Sequence, residues 1–211
     1  MKIITYNIHK GMDAHNKDTL NELLSFLKKI NADVICLQEV LESIHYKILN
    51  DLNIKGYFLK TVELKGDNYG IAIYFIEYVK HTDGFYLSSK KEQRGFIHTQ
   101  FFINNKLVNI INTHLGLNEE ERKIQIEEIY SYVNNLRGKI IICGDFNQTN
   151  IKIKDYYDLS ILFSCENIET FQPSKSRIDY IFMSKNLRPS RYKVEFIDLS
   201  DHYPVIGEFI I

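Results

Sequence analysis

Short apolar runs rich in β-branched residues recur along the whole chain, and most of them stop at a polar residue. KIITY ends at Asn7, VICL at Gln38-Glu39, LVNII at Asn112-Thr113-His114, and KIIICG at Asp145 followed by Asn147. DYIFM opens on Asp179, and PVIGEFII is preceded by Asp201-His202. Bounded runs of this length and composition read as buried strands. Neighbouring strands lie close together, so strand ends on one edge of a sheet can converge on a single pocket.

Helical periodicity separates some of these strands. Leu20, Leu23, Leu24, Leu27 and Ile30 form one apolar stripe between Asp18 and Ile30, so this segment is predicted to be an amphipathic helix. A second helix is expected around Ile44, Ile48 and Leu49. A third begins at Asn118 as N-cap, places acids in its first turn where the helix dipole favours them, and closes at Gly138. The middle of the chain is strand-like: YFLKTV, YGIAIYF, GFIHTQFFI and KLVNIINTH, with KGDN and NNK as hairpin turns. A less regular stretch runs from Gln148 to Ser176, before RIDYIFMS, YKVEFIDLS and the last strand. Hairpin-like strands flanked by helices predict an α/β architecture of sheets stacked face to face with helices outside. With no linker, repeat or low-complexity segment, residues 1–211 are expected to form a single domain.

Charge and cysteine content narrow the setting. The formal net charge is -1, so no global positive field draws the chain to nucleic acid or to an anionic membrane, although a local basic groove would do the same work. Cys36 and Cys143 lie inside apolar runs, where a free thiol acts as a small hydrophobe, and three cysteines cannot all pair. A reducing compartment is expected. No signal-peptide pattern and no bilayer-length apolar run is visible, which predicts a cytoplasmic protein without membrane insertion.

Each polar strand end has an ordinary structural explanation. Asn7 suits a turn, Glu39 a helix start, Gly144-Asp145-Phe146-Asn147 a turn, and His114 a strand end. Asp179 can pair with Arg177, and Ser200-Asp201-His202 can cap a helix. Six independent coincidences are less economical than one site. Glu39 with oxygens from Asn7 and Asp201 is a hard-donor set suited to Mg2+ or Mn2+. Zinc is disfavoured, because no Cys or His pair has zinc spacing. Two histidines with carboxylates and an amide can position water, move its proton and stabilise a charged transition state, the parts needed for metal-assisted phosphoester hydrolysis.

The ordered set TYNIHKG, LQEV, NTHLG, GDFN, RIDYIF and SDHYPV resembles the endonuclease/exonuclease/phosphatase superfamily, over nearly the whole chain from Asn7 to Val205. The resemblance implies a deoxyribonuclease I-like four-layer α/β sandwich, with two packed mixed β-sheets flanked by helices, and a divalent-metal phosphoesterase using Mg2+ or Mn2+. Carried over position by position, it makes Glu39 the principal metal ligand, with Asn7 in the metal and phosphate network and Asp201 at the metal. Asp145 and Asn147 orient and activate water or hold phosphate; His202 contacts the phosphate or transfers a proton, with Asp179 fixing its ring. His114 follows the deoxyribonuclease and sphingomyelinase-like pattern. Arg94 matches a phosphate-side basic residue, with a solvated strand-start arginine as the alternative, and Asn68 and Tyr69 fall where such nucleases place a DNA-contacting loop.

Fold alone does not name the substrate. The expected function is phosphodiester hydrolysis of nuclease type on DNA or RNA by activated-water attack on phosphorus, in a monomer. Hydrolysis of a phospholipid head group or small phosphoester is the alternative, and a binding protein with a dead site the remote one, since every expected catalytic residue is present. Lys90, Lys91 and Arg94, and Arg188, Arg191 and Lys193, either line an edge or are dispersed surface charge. The 14 tyrosines either stack on bases or pack strands.

Overall fold

The computed structural model describes residues 1–76 and 79–211. In chain order the elements are β1 (Lys2–Asn7), α1 (Leu20–Ile30), β2 (Val34–Leu41), α2 (Glu42–Leu52), β3 (Lys55–Leu64) and β4 (Asp67–Phe75). Then follow β5 (Val79–Leu87), β6 (Arg94–Ile103), β7 (Lys106–His114), α3 (Glu119–Val133) and β8 (Lys139–Asp145). The last third holds β9 (Tyr156–Asp158), α4 (Leu159–Leu162), β10 (Asp179–Ser184), β11 (Arg188–Val194) and β12 (Val205–Ile210).

The strands make two six-stranded sheets, ordered β11-β12-β1-β2-β4-β3 and β5-β6-β7-β8-β10-β9. Each sheet is mixed, with a central parallel pair, β1 with β2 and β7 with β8, and antiparallel neighbours. Successive side chains on a strand point to opposite faces, so adjacent residues enter different layers. Ile3, Cys36, Ile110 and Cys143 pack between the sheets. Their chain neighbours Ile4 and Ile35 pack under Leu23, Leu27, Ile44 and Ile48 of α1 and α2, and Ile111 and Ile142 under Ile129 and Val133 of α3. Helix, sheet, sheet and helix give the four expected layers. Burial on both faces is why the central strands read as continuous apolar runs.

Several expected elements shift. β5 is an edge strand whose polar run Lys80-His81-Thr82-Asp83 conceals it from an apolar pattern. The stretch 148–176 contains the short β9 and α4. α3 keeps its Asn118 cap, whose side chain accepts from Glu121 N, but ends at Val133. Gly138 instead turns the chain into β8 at φ 102°, where a Cβ would lie 2.5 Å from Leu107 O. β11 starts at Arg188 and stops at Val194, leaving the following residues as a return loop. Among the described residues, no helix is long and apolar enough to cross a membrane.

Candidate active site

The register brings the polar strand ends together. Asn7 is opposite Gln38 across the β1–β2 pair, His114 is opposite Asp145 across β7–β8, and Asp145 is opposite Asp179 across β8–β10. A buried polar bridge links the two sheets just beneath. Gln38 Nε2 donates to Asn112 Oδ1 at 2.7 Å, and Asn112 Nδ2 donates to Leu37 O and Ala72 O at 3.2 and 2.8 Å. The close approach of β7 and β8 depends on Gly144, at φ 144°, since a Cβ there would stand 1.9 Å from Thr113 O.

Asp145 is the hub. Its Oδ1 accepts from Asn147 N at 2.8 Å, and Asn7 Nδ2 donates to its Oδ2 at 3.0 Å. Nε2 of His114 and Nε2 of His202 approach the same Oδ2 to 3.5 and 3.7 Å. Burial pushes the Asp145 carboxyl up to about 7; the nearby His202 opposes that rise and Asp179 adds to it.

The two histidines are held in opposite charge states. Arg94 Nη1 lies 3.2 Å from His114 Nδ1 and 3.5 Å from Nε2; donation to the nearer Nδ1 puts the ring proton on Nε2, facing Asp145. Burial, then the cationic Arg94 and His202, hold His114 well below the ordinary range, so it is neutral. Burial also works against charge on His202. Asp179 and Asp145 outweigh it and push His202 up to about 10. His202 Nδ1 lies 2.9 Å from Asp179 Oδ2, while Nε2, beyond hydrogen-bond length from Asp145, remains free to donate.

Other predicted residues occupy less direct places. Asn7 Nδ2 reaches Glu39 Oε1 at 3.4 Å, and Glu39 sits where the β2–β4 register breaks, at φ 55°. It precedes α2 by three residues and is not a helix-start acid. Asn147, at φ 51°, spends its amide on Leu115 O at 2.9 Å. Asp201 lies outside the cluster, with Oδ1 3.2 Å from Ser200 Oγ and 3.8 Å from His9 Nδ1. Arg94 is buried and reaches the cluster only through His114. Arg177 pairs with Asp158 at 2.8 Å, not with Asp179, and no helix follows His202 for Ser200 to cap. Tyr69 is buried and the half-buried Asn68 donates to Glu42, both at the start of β4. Arg191 and Lys193 pair with Glu208 and Glu195, as dispersed surface charge does.

Three supporting residues escaped the sequence reading. Thr170 Oγ1 accepts from Ile178 N and Asp179 N, both at 3.1 Å. Phe171 packs its ring 4.7 Å from the His202 ring. Ser200 Oγ donates to Asn7 O at 2.8 Å and accepts from His202 N at 3.2 Å, tying the His202 turn to β1. Only the short Ser-Asp-His spacing hinted at the last of these.

A divalent cation fits the oxygen-rich side of this cluster. Among the described residues the Glu39 carboxylate accepts only the long bond from Asn7, and the buried Asp179 Oδ1 has no partner. Asp145, Asp179 and His202 also lie within 4.8 Å of one another. Within that triad His202 Nδ1 is already bonded to Asp179 Oδ2, at 2.9 Å.

The family model described as "Endonuclease/Exonuclease/phosphatase family" matches residues 4–202. Among curated proteins, the chain is 27% identical over 243 residues to the uncharacterized protein YbhP of Escherichia coli K12, covering 98% of this chain and 95% of YbhP. A solved endonuclease/exonuclease/phosphatase family protein from Leptotrichia buccalis superposes with a TM-score of 0.84 at 20% identity, over 100% of both chains. D. rerio TDP2 complexed with single-strand DNA product has a TM-score of 0.84 at 18% identity, over 100% of this chain and 99% of its own.

Proposed function

The chain belongs to the endonuclease/exonuclease/phosphatase family of phosphoesterases and nucleases, and from that premise we propose that it is a divalent-metal-dependent phosphodiesterase of nuclease type, cleaving DNA or RNA. The observation that carries the reading is the convergence of Asn7, His114 and His202 on one buried carboxylate oxygen of Asp145.

In this reading Asp145, raised by burial, accepts the proton of the attacking water, which Asn147 Oδ1, on the amide whose nitrogen is held by Leu115 O, helps to orient. His202, kept cationic by Asp179, donates through Nε2 to a nonbridging phosphate oxygen as charge accumulates there. Neutral His114 supplies a second donor, and Arg94 behind it holds the tautomer. Glu39 and Asn7, with Asp201 on the outer side, are the residues that would hold Mg2+ or Mn2+. Such an ion supplies Lewis-acid polarisation of a phosphoryl oxygen. The DNA product bound to the TDP2 neighbour supports nucleic acid as the substrate class.

The test is nicking of supercoiled plasmid at low salt with Mg2+, with EDTA and His202→Ala as controls. Nicking is expected to vanish with EDTA and to fall by about 10²–10⁴-fold in His202→Ala. A folded protein that leaves plasmid, single-stranded DNA and RNA intact in Mg2+ and in Mn2+ would overturn the nuclease reading.

A further inference from the structure

Beside Arg94, the residue that meets His114, lies a concavity outside the catalytic cluster. A surface pocket of about 390 Å³ is lined by Lys90, Lys91, Arg94, Gly116, Leu117 and Asn118, together with Glu92 and Glu121. Its wall is one side chain from the catalytic cluster, because the Arg94 guanidinium that lines it also donates to His114.

The charges in this pocket are unequal in availability. Glu92 is already paired with Arg94 at 2.7 Å, and Glu121 accepts from Gln125 at 3.0 Å. Lys90 and Lys91 are exposed and make no ion pair among the described residues. Arg94 is 6% exposed, yet its Nε is buried without a hydrogen-bond partner. Leu117, 77% exposed, adds an apolar surface at the rim. The acids Glu119, Glu120 and Glu121 in the first turn of α3 oppose anion capture by the helix end itself, so the cationic side chains carry the attraction.

We propose that this pocket is a subsite for the phosphate next to the scissile one on a single nucleic-acid strand, with Lys90, Lys91 and Arg94 as its cationic wall and Leu117 against the intervening nucleotide. The inference rests on the nuclease reading of the neighbouring cluster and adds to it a direction along the strand. Successive phosphates of a strand are one nucleotide apart, whereas a small aryl diester or a single-phosphate lipid head group offers nothing to fill the second site.

Binding separates the subsite from the chemistry. A short fluorescein-labelled oligothymidylate is titrated by fluorescence anisotropy in EDTA over a range of salt concentrations. Lys90→Ala/Lys91→Ala is expected to weaken binding about ten-fold and to flatten the slope of log affinity against log salt by about 1. Lys152→Ala/Lys154→Ala, on another face, is the control for general charge. Unchanged affinity and slope in the first variant, or an equal loss in the control, would overturn the subsite. Hydrolysis of bis(p-nitrophenyl) phosphate with Mg2+ is measured alongside. Lysine-dependent binding without turnover of that diester or of plasmid, single-stranded DNA and RNA leaves the subsite standing and removes the catalytic reading; turnover with lysine-independent binding does the reverse.

Discussion

Glu39 combines a left-handed backbone with an acidic side chain in a strand, a pairing with no structural advantage of its own. Only glycine, and to a lesser degree asparagine or aspartate, adopts such a φ cheaply; other residues give up about 1 kcal/mol. The strain has a consequence, since the broken register turns the carboxylate toward Asn7. Glu39→Asn is therefore expected to keep stability or raise it by up to about 1 kcal/mol, while turnover falls at least about a hundred-fold. Denaturant midpoints and turnover on one preparation decide the matter; stability and activity lost together would make Glu39 a structural residue. The site was legible at this scale because Asn7, Glu39, His114, Asp145 and His202 interrupt or bound apolar runs. Arg94 was ambiguous for the opposite reason. A cation two residues from Glu92, in a loop with two lysines, reads as surface charge, and only the approach of His114 from β7 shows it buried.

At the scale of elements, the two sheets are joined by more than apolar packing. Asn112 on β7 crosses the interface to β2 and β4, using its amide oxygen on Gln38 and both amide hydrogens on main-chain carbonyls. Removing that side chain leaves buried acceptors unpaired, a cost of about 1–3 kcal/mol for each unsatisfied group. Asn112→Ala is expected to lower stability by about 3 kcal/mol in urea unfolding, and to reduce turnover because β2 and β8 both border this bridge. A loss below about 1 kcal/mol would mean that water or a shifted Gln38 replaces the amide. The hairpins in the middle of the chain were readable from turn residues and apolar runs; the parallel pairs were not. β5 was not, because an edge strand facing solvent needs no apolar alternation. The supports of His202 were hidden too. Thr170, Phe171 and Ser200 act through tertiary contacts from an irregular loop, and a lone hydroxyl in sequence carries no sign of which amide it will meet.

Across the whole molecule, the far end of the second sheet holds a polar network unrelated to the candidate site, and its response to pH has a definite sign. His98 is buried, with Nδ1 2.8 Å from Tyr132 Oη and Nε2 3.0 Å from Asn109 Oδ1. Burial, helped by the neighbouring His81, lowers its pKa against the raising influences of the Asn109 contact and of Asp83. His45 is lowered for the same leading reason, burial, with Glu42 opposing. In the unfolded chain both titrate near about 6.5. Below that value the unfolded state binds more protons than the folded one, so stability rises with pH through this window. The contribution is complete above about pH 6.5 and is lost as pH falls through the lowered folded values. His98→Gln keeps a hydrogen-bonding side chain but cannot titrate. Its stability deficit relative to the native chain is therefore expected to be largest at pH 8 and to narrow by pH 5, as measured by urea unfolding at each pH. A deficit that stays constant on acidification would mean that folding leaves His98 unshifted, and one that widens would mean that His98 is raised in the folded protein, with Asp83 rather than burial in control.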